Sequence, residues 1–518
     1  MIVCPNRCTG RLWRAGWVVI ALALSVPSIS RGQTIDRRLG FSPGAFTSLK
    51  AAARVYQRLP VGAARCSTNR LENIWDYNVA RSDPSSAPKP AVLDGKIFAA
   101  YRAGVQPVIN LISAPKDDPN DLTSVDWYWI GRRLAERYRP GSAFSRRHAP
   151  AGGGVTTYMI GNEINSSWYN SGPAGRQATK DAYVKINADF AKGVREGFGS
   201  EPGKSSAKAS DANVYLGPLC DGYVDPNYKF SPATFVKMIA DAGMFDPEHE
   251  SYISGFGLQN YPTSDPSNEH FLGKLDVVGQ VERIKKHAGI TKLPLDFYVS
   301  EFNVELDEAA NGDLWRRYVS EDDERLAASV FFSQIWINFT VPRGSSTEPA
   351  TMFNLAFSPF GASRGQWVCL SRDGQYGKDN EDWVPNLRGK ALQLATALGR
   401  DMVIQRVDPR ASVVYAARPG QRLYAVNNIQ TITNLGRGGR PGKEFVIDDI
   451  PEGASTLRAY HFNSIEFDHR DAPRGRPVPV GEMDLQRNRE YRTTGKYTYR
   501  HLRPNQTTVL TIDVPAGG

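Results

Sequence analysis

Cysteine is scarce in this chain, with five in 518 residues. Two of them, Cys4 and Cys8, fall in an N-terminal stretch that reads as removable. Cys66, Cys220 and Cys369 remain, an odd number without metal-like spacing. That excludes a dense disulfide framework and implies no structural zinc, leaving buried thiols and at most one disulfide. Histidine is sparse too. His148, His270 and His287 share no spacing and no His-x-His pair occurs, which argues against a histidine-built metal centre. No metal and no cofactor are expected. Long apolar runs are missing as well: Ala15 to Val26 is too short to span a bilayer comfortably, and no later segment approaches that length. Internal repeats, long low-complexity segments and runs of basic residues are also absent, so neither a solenoid nor a nucleic-acid-binding tail is indicated.

What is present begins with a secretory pattern. Arg7, Arg11 and Arg14 precede the apolar run, and Pro27-Ser28-Ile29-Ser30 offers small residues for cleavage. Residues 1–30 read as a signal peptide and the mature start as Arg31 to Gln33, with an uncleaved anchor as the alternative. A secreted or periplasmic location follows. The formal net charge of +9 falls to +6 when those three arginines go, because no acid leaves with them. The remaining basic residues are scattered, which serves solubility rather than nucleic-acid binding, and no membrane contact is expected after cleavage. Hydrophobic content of 41% and charged content of 23% are ordinary for a soluble globular chain.

Beyond a polar segment at 31–40, apolar β-favouring runs alternate with helical periodicity. Ser42-Pro43-Gly44 reads as a helix start, with helical spacing over 46–59. Strands are expected at Val61 to Cys66, Val105 to Leu111, Thr156 to Ile160, Asn213 to Leu219, Ile253 to Tyr261, Leu295 to Ser300 and Ala350 to Phe357. Helices are expected over Leu93 to Ala103, Trp127 to Tyr138, Lys180 to Phe198, Ser231 to Ala242, Leu275 to His287, Asp322 to Phe339 and Gly389 to Leu398. Residues 139–154 read as a loop. Seven strands are clear, and an eighth must come from Leu39-Gly40-Phe41 or Asn73-Ile74-Trp75. Strand–helix alternation of this length predicts an α/β fold, a (β/α)8 TIM barrel over 41–400. After Val403 the texture changes to short strands between turn residues, without a helix pattern, which predicts a C-terminal β-sandwich over 403–517.

Two of the strands end in acids. Thr156 to Ile160 leads into Gly161-Asn162-Glu163, and Leu295 to Ser300 leads into Glu301-Phe302-Asn303. A lone buried carboxylate is costly, so an acid directly after a buried strand needs a reason. In a parallel barrel the strand C-termini open into the active site. The two glutamates lie 138 residues apart, room for three strand–helix repeats. Together they suggest the paired carboxylates of glycoside cleavage.

This pattern resembles clan A of the glycoside hydrolases, over residues 40–400. In that clan the acid/base follows an asparagine at the end of the fourth barrel strand and the nucleophile ends the seventh. Counting the Thr156 strand as the fourth makes the Leu295 strand the seventh. The β-sandwich behind the barrel is similar to that of family-39-like β-glycosidases. The resemblance implies Glu163 as general acid/base, Glu301 as nucleophile, Asn162 as partner of the sugar 2-hydroxyl, Tyr261 as a contact of the nucleophile and Arg65 as an arginine beside it. It implies a retaining hydrolase acting on an oligo- or polysaccharide.

Plainer readings stand beside these. Glu163 could cap a helix or face solvent, and Glu305 competes with Glu301. Asn162 could turn the backbone, Tyr261 could be a core residue before Pro262, and Arg65 could serve a structural ion pair. Asn354, inside the eighth strand, could face the pocket or satisfy a backbone group. Trp75, Trp168, Tyr169, Trp367 and Trp383 fall in expected loops and could stack on sugar rings or pack under those loops, with Trp168 the leading candidate. Trp127 and Trp129 read as packing of the barrel shell. Two other functions compete: a non-catalytic carbohydrate-binding barrel, disfavoured by the presence of both glutamates, and a metal-dependent barrel hydrolase, disfavoured by the lack of clustered ligands.

Overall fold

The computed structural model describes residues 39–43, 62–68, 91–111, 126–161, 164–165, 180–199, 211–219, 231–260, 277–293, 295–302, 328–329, 332, 349–357, 369–371, 383–385, 387–399, 402–408, 413–427, 444–462, 465–466, 476–502 and 506–515. The signal segment and the helix expected over 46–59 lie outside these residues. Of the helix expected over Asp322 to Phe339, positions 328, 329 and 332 are described and are helical.

Eight parallel strands close a barrel in sequence order: β1 (Leu39–Pro43), β2 (Ala63–Thr68), β3 (Gln106–Leu111), β4 (Thr157–Ile160), β5 (Asn213–Leu219), β6 (Gly255–Asn260), β7 (Asp296–Phe302) and β8 (Pro349–Phe357). β1 is the Leu39 candidate, and its pairing with both β2 and β8 closes the ring. Ser42 and Pro43, read as a helix start, belong to this strand. The strands are short runs with β-branched and aromatic residues, and β4 and β6 are buried along their whole lengths on both faces, as parallel sheets between two packed layers must be.

Helices α1 (Ala91–Arg102), α2 (Trp127–Tyr138), α3 (Ala143–His148), α4 (Lys180–Gly199), α5 (Pro232–Asp241), α6 (Val277–Ala288) and α7 (Leu387–Leu398) account for the longer helical segments that are described through 398. Capping sets several starts. Asp126 accepts from the Trp129 amide at 2.9 Å, and Ser231 accepts from the Thr234 amide at 3.1 Å with Pro232 in the first turn. In α2 the buried residues Trp127, Ile130, Gly131, Leu134, Ala135 and Tyr138 recur at three- and four-residue spacing and face α4 and the barrel. α2 and α4 touch through glycines. A Cβ on Gly193 would stand 1.9 Å from the Tyr128 carbonyl oxygen, and one on Gly131 would stand 2.5 Å from that of Phe190.

Alternation along each strand sorts side chains into two cores. Tyr158, Ile160, Val214, Leu216, Phe256, Leu258, Phe297 and Val299 join the large cluster under the helices. Ala63, Val108, Met159, Tyr215 and Tyr298 fill the barrel interior. There Tyr215 and Tyr298 meet edge to face, 4.2 Å between ring centroids.

Past the barrel, β9 (Cys369–Ser371) and β10 (Trp383–Pro385) form an antiparallel pair that the sequence reading lacked; Trp383, expected in a loop, starts β10. From Val403 onward come β11 (Val403–Asp408), β12 (Val413–Arg418), β13 (Gln421–Asn427), β14 (Phe445–Ile447), β15 (Thr456–Tyr460), β16 (Ile465–Glu466), β17 (Arg476–Pro477), β18 (Gly481–Asp484), β19 (Tyr497–Tyr499) and β20 (Thr507–Asp513). Six of them make an antiparallel sheet in the order β11-β12-β13-β20-β15-β18, while β14 pairs with β19. One face of the sheet, carrying Leu423, Ala425, Tyr460 and Val509, joins the core that includes the barrel helices. The other, carrying Tyr424, Val426, Leu457, Leu510 and Ile512, packs on Ile447, Tyr491, Tyr497 and Tyr499.

Two short helices correct the sequence reading. α3 lies inside the 139–154 loop, started by Ser142, which accepts from the Ser145 amide at 3.1 Å. α8 (Arg489–Thr494) lies in the region expected to hold strands only, started by Asn488 and stopped by Gly495 at φ 69°. At six residues each, both are too short for a periodic apolar stripe to announce them.

Candidate active site

The barrel interior is layered from bottom to top. At the bottom, Tyr215 Oη lies 3.1 Å from Asp296 Oδ2, and the Tyr298 hydroxyl donates to Thr157 Oγ1 at 3.5 Å. Burial pushes the Tyr298 phenol up to about 12. Ala63, Val108 and Met159 complete one apolar plug with the two tyrosines. Above the plug, at the C-terminal ends of the strands, the interior turns polar. Arg65, Asn110 and Gln259 are all buried there.

Arg65 and Asn110 form a direct pair. Both are fully buried, and Arg65 Nε donates to Asn110 Oδ1 at 2.6 Å. A guanidinium carries donors only, so the amide oxygen must face it. The amide nitrogen is thereby turned the other way, and Asn110 Nδ2 donates to the Gly161 carbonyl at 2.9 Å. The Gly161 amide donates in turn to the Leu111 carbonyl at 2.6 Å. The residue that precedes Asn162-Glu163 is therefore tied to β3 through both its peptide groups. Gly161 has φ +91°, a left-handed conformation, and a Cβ there would stand 2.3 Å from Ile164 Cγ2. Only glycine fits without displacement.

β7 departs from plain alternation near its end. Leu258 pairs with Val299 and Gln259 pairs with Glu301, so Ser300 has no counterpart on β6. On the other side Val299 pairs with Met352 and Phe302 with Asn354, again one residue longer on β7. Both neighbours thus report one extra residue in β7, a bulge. Glu301 lies inside the strand rather than beyond it, level with Gln259.

Of the residues singled out in the sequence, Arg65 stands at the barrel mouth held by Asn110. Glu301 and Asn354 have their backbones in β7 and β8, and their side chains lie outside the described residues. Asn162, Glu163, Tyr261 and Trp168 lie outside them too, as do Glu305, Trp75, Tyr169 and Trp367. Trp127 is buried in α2, and the Arg133 guanidinium sits 4.3 Å from the Trp129 ring centroid. The sequence reading missed Asn110. Its signal was a polar residue two places after Val108 in an apolar strand, on the same parity as the barrel plug.

Cys66 is a free, buried thiol on the outer face of β2, and burial pushes it up to about 12. Lys96 on α1 is held below the usual lysine range, mainly by burial, with Arg65 adding to the effect against the opposing influence of Cys66. Among the described residues no group of three or more His, Cys, Asp or Glu side chains is arranged to hold a metal ion. A groove of about 710 Å³ lies in the C-terminal unit, lined by residues that include His461, Val480, Tyr499 and Gln506, and shares no residue with the barrel mouth.

No family model and no curated protein matches the chain. Solved structures do match it. A glucosidase from Croceicoccus marinus superposes with a TM-score of 0.54 at 12% identity, over 93% of this chain and 98% of that one. A family 39 glycoside hydrolase from the gut symbiont Bacteroides cellulosilyticus WH2 gives 0.53 at 12% identity, over 93% and 82%. A family 51 alpha-L-arabinofuranosidase from Bifidobacterium longum gives 0.53 at 10% identity, over 93% and 97%. At these identities the likeness is one of fold, which this chain shares with these three hydrolases.

Proposed function

We propose that this chain is a glycoside hydrolase that cleaves β-glycosidic bonds with retention, with Glu301 as nucleophile and Glu163 as general acid/base. The observation that carries the reading is strand register. β4, the fourth strand of a closed barrel, ends at Ile160, three residues before Glu163 in the sequence, and the seventh, β7, holds position 301, which its extra residue sets level with Gln259. Leu258 belongs to the outer core and the missing Cβ of Gly257 faces Met159 in the inner one, so Gln259 falls on the inner parity. The glucosidase and the family 39 hydrolase among the fold neighbours support a glycan substrate. The C-terminal unit is read as a β-sandwich braced on the barrel, supported by its antiparallel sheet with β14 and β19 over one face.

In the first step a Glu301 carboxylate oxygen attacks the anomeric carbon. The bond to the aglycone oxygen breaks, and Glu163 gives that oxygen its proton. In the second step water attacks the anomeric carbon, Glu163 takes the water's proton, and the ester to Glu301 breaks. Asn162 would hydrogen-bond the 2-hydroxyl, Tyr261 and Arg65 would keep the nucleophile ionised, and Trp168 and Asn354 would line the sugar sites.

The test is a panel of aryl β-glycosides, assayed with the wild type and two variants. Glu301→Ala should lose several orders of magnitude on every substrate, and azide should then yield an inverted product. Glu163→Ala should lose about 10²–10⁴-fold on poor leaving groups, little on dinitrophenyl glycosides, and should yield a retained glycosyl azide. A chain that binds glycans and cleaves none of the panel would be a binding protein. Equal losses in both variants on all leaving groups would refute the two roles assigned to Glu301 and Glu163.

A further inference from the structure

We infer that Asn110 is a positioning residue for the general acid/base, holding the turn that carries Glu163 through the Gly161 carbonyl. The inference rests on the assignment of Glu163 as acid/base. Asn110 is fully buried and its amide is in use on both sides: its oxygen accepts from Arg65 Nε at 2.6 Å, and its nitrogen donates to the Gly161 carbonyl at 2.9 Å, with a longer contact of 3.5 Å to the Leu111 carbonyl. Arg65 fixes the amide's orientation because it can only donate. Gly161 is clamped on its other side by the bond from its amide to the Leu111 carbonyl at 2.6 Å. Three residues on, Ile164 is buried and folds back until its Cγ2 would touch a Cβ at position 161. Gly161 and Ile164, the residues on either side of Asn162-Glu163 in the sequence, are thus both fixed, and Asn110 supplies the side-chain tie that holds the first. A proton donor must sit within about 0.5 Å of its productive place, and a misplacement near 1 Å costs about 10²-fold.

Asn110→Asp separates the two bonds. The carboxylate still accepts from Arg65, but it carries no donor for Gly161, and its second oxygen would repel that carbonyl. Asn110→Ser, small and neutral, removes the amide donor without adding charge. Both variants are compared with wild type and with Glu163→Ala on aryl glycosides of graded leaving-group ability, below each protein's melting temperature. The expected result is a loss of about 10²-fold on poor leaving groups and less than about 5-fold on the dinitrophenyl glycoside, with azide giving a retained glycosyl azide. That pattern follows displacement of the acid/base, and general loosening of the barrel would not produce it. If Glu163→Ala shows the leaving-group dependence while both Asn110 variants lose activity uniformly, or not at all, the inference is overturned and the role of Glu163 stands. If Glu163→Ala itself lacks that dependence, the reading of the site fails and this inference falls with it. Failure of both Asn110 variants to fold would also overturn it, because the pair would then be holding the barrel and not the turn.

Discussion

Single residues differ in how openly the sequence declares them. Cys66 declares little: an isolated thiol in a small-residue strand is expected to be buried, and it is. Its burial has a pH consequence with a definite sign. An unfolded thiol loses its proton near pH 8.5, whereas the folded Cys66 keeps it up to about 12. Between those values the unfolded chain binds fewer protons than the folded one, so stability falls as pH rises, by up to about 1.4 kcal/mol per unit. Below about pH 8.5 the contribution is fully present. Cys66→Ala should therefore melt with a shallower pH dependence than wild type between about pH 9 and 11, read by thermal denaturation at both ends. Equal slopes would mean that the thiol ionises freely in the folded protein. The glutamates drew notice in the sequence because an acid after an apolar run is conspicuous. Asn110 did not, because what gives it importance is a partner 45 residues earlier and a carbonyl 51 residues later.

At the scale of elements, long periodic helices and the seven clear strands were read to within a few residues, because each carries its own hydrophobic signature. The register of β7 was not legible, since a bulge is a relation between strands and Ser300 looks like any other strand residue. Close helix contacts were equally hidden. The interiors of α2 and α4 carry Gly131, Gly193 and Gly197, which propensity alone counts as faults costing about 1 kcal/mol each against alanine. The structure gives them a purpose: a Cβ on Gly197 would stand 2.3 Å from the Arg132 carbonyl oxygen, and one on Gly193 still nearer to that of Tyr128. Gly193→Ala should thus destabilise the fold by about 1–3 kcal/mol through overpacking, seen as a melting temperature several degrees lower. Propensity predicts the opposite sign, so a variant more stable than wild type would show that the two helices do not meet as described.

On the scale of the whole molecule, a closed parallel barrel delivers eight strand ends to one mouth, and the antiparallel unit behind it buries one sheet face in the same core. Thr507 donates its amide to Ser329 Oγ at 3.1 Å across that junction, and Phe332 meets Phe462 at 5.5 Å. Strand–helix alternation made the barrel legible; the pairing order of the later strands was not, because short antiparallel strands specify their neighbours through contacts far along the chain. The account's central claim is that such a barrel uses Glu301 to form a covalent glycosyl intermediate. The measurement that bears on it most directly is mass spectrometry of the protein after incubation with the 2-deoxy-2-fluoro analogue of its best aryl glycoside, which slows release of the intermediate. The account predicts a gain of one fluoroglycosyl unit, located by peptide fragmentation on Glu301 and released on standing as activity returns. A label on Glu305, or full turnover of the parent substrate with no labelled protein at any time, would contradict it.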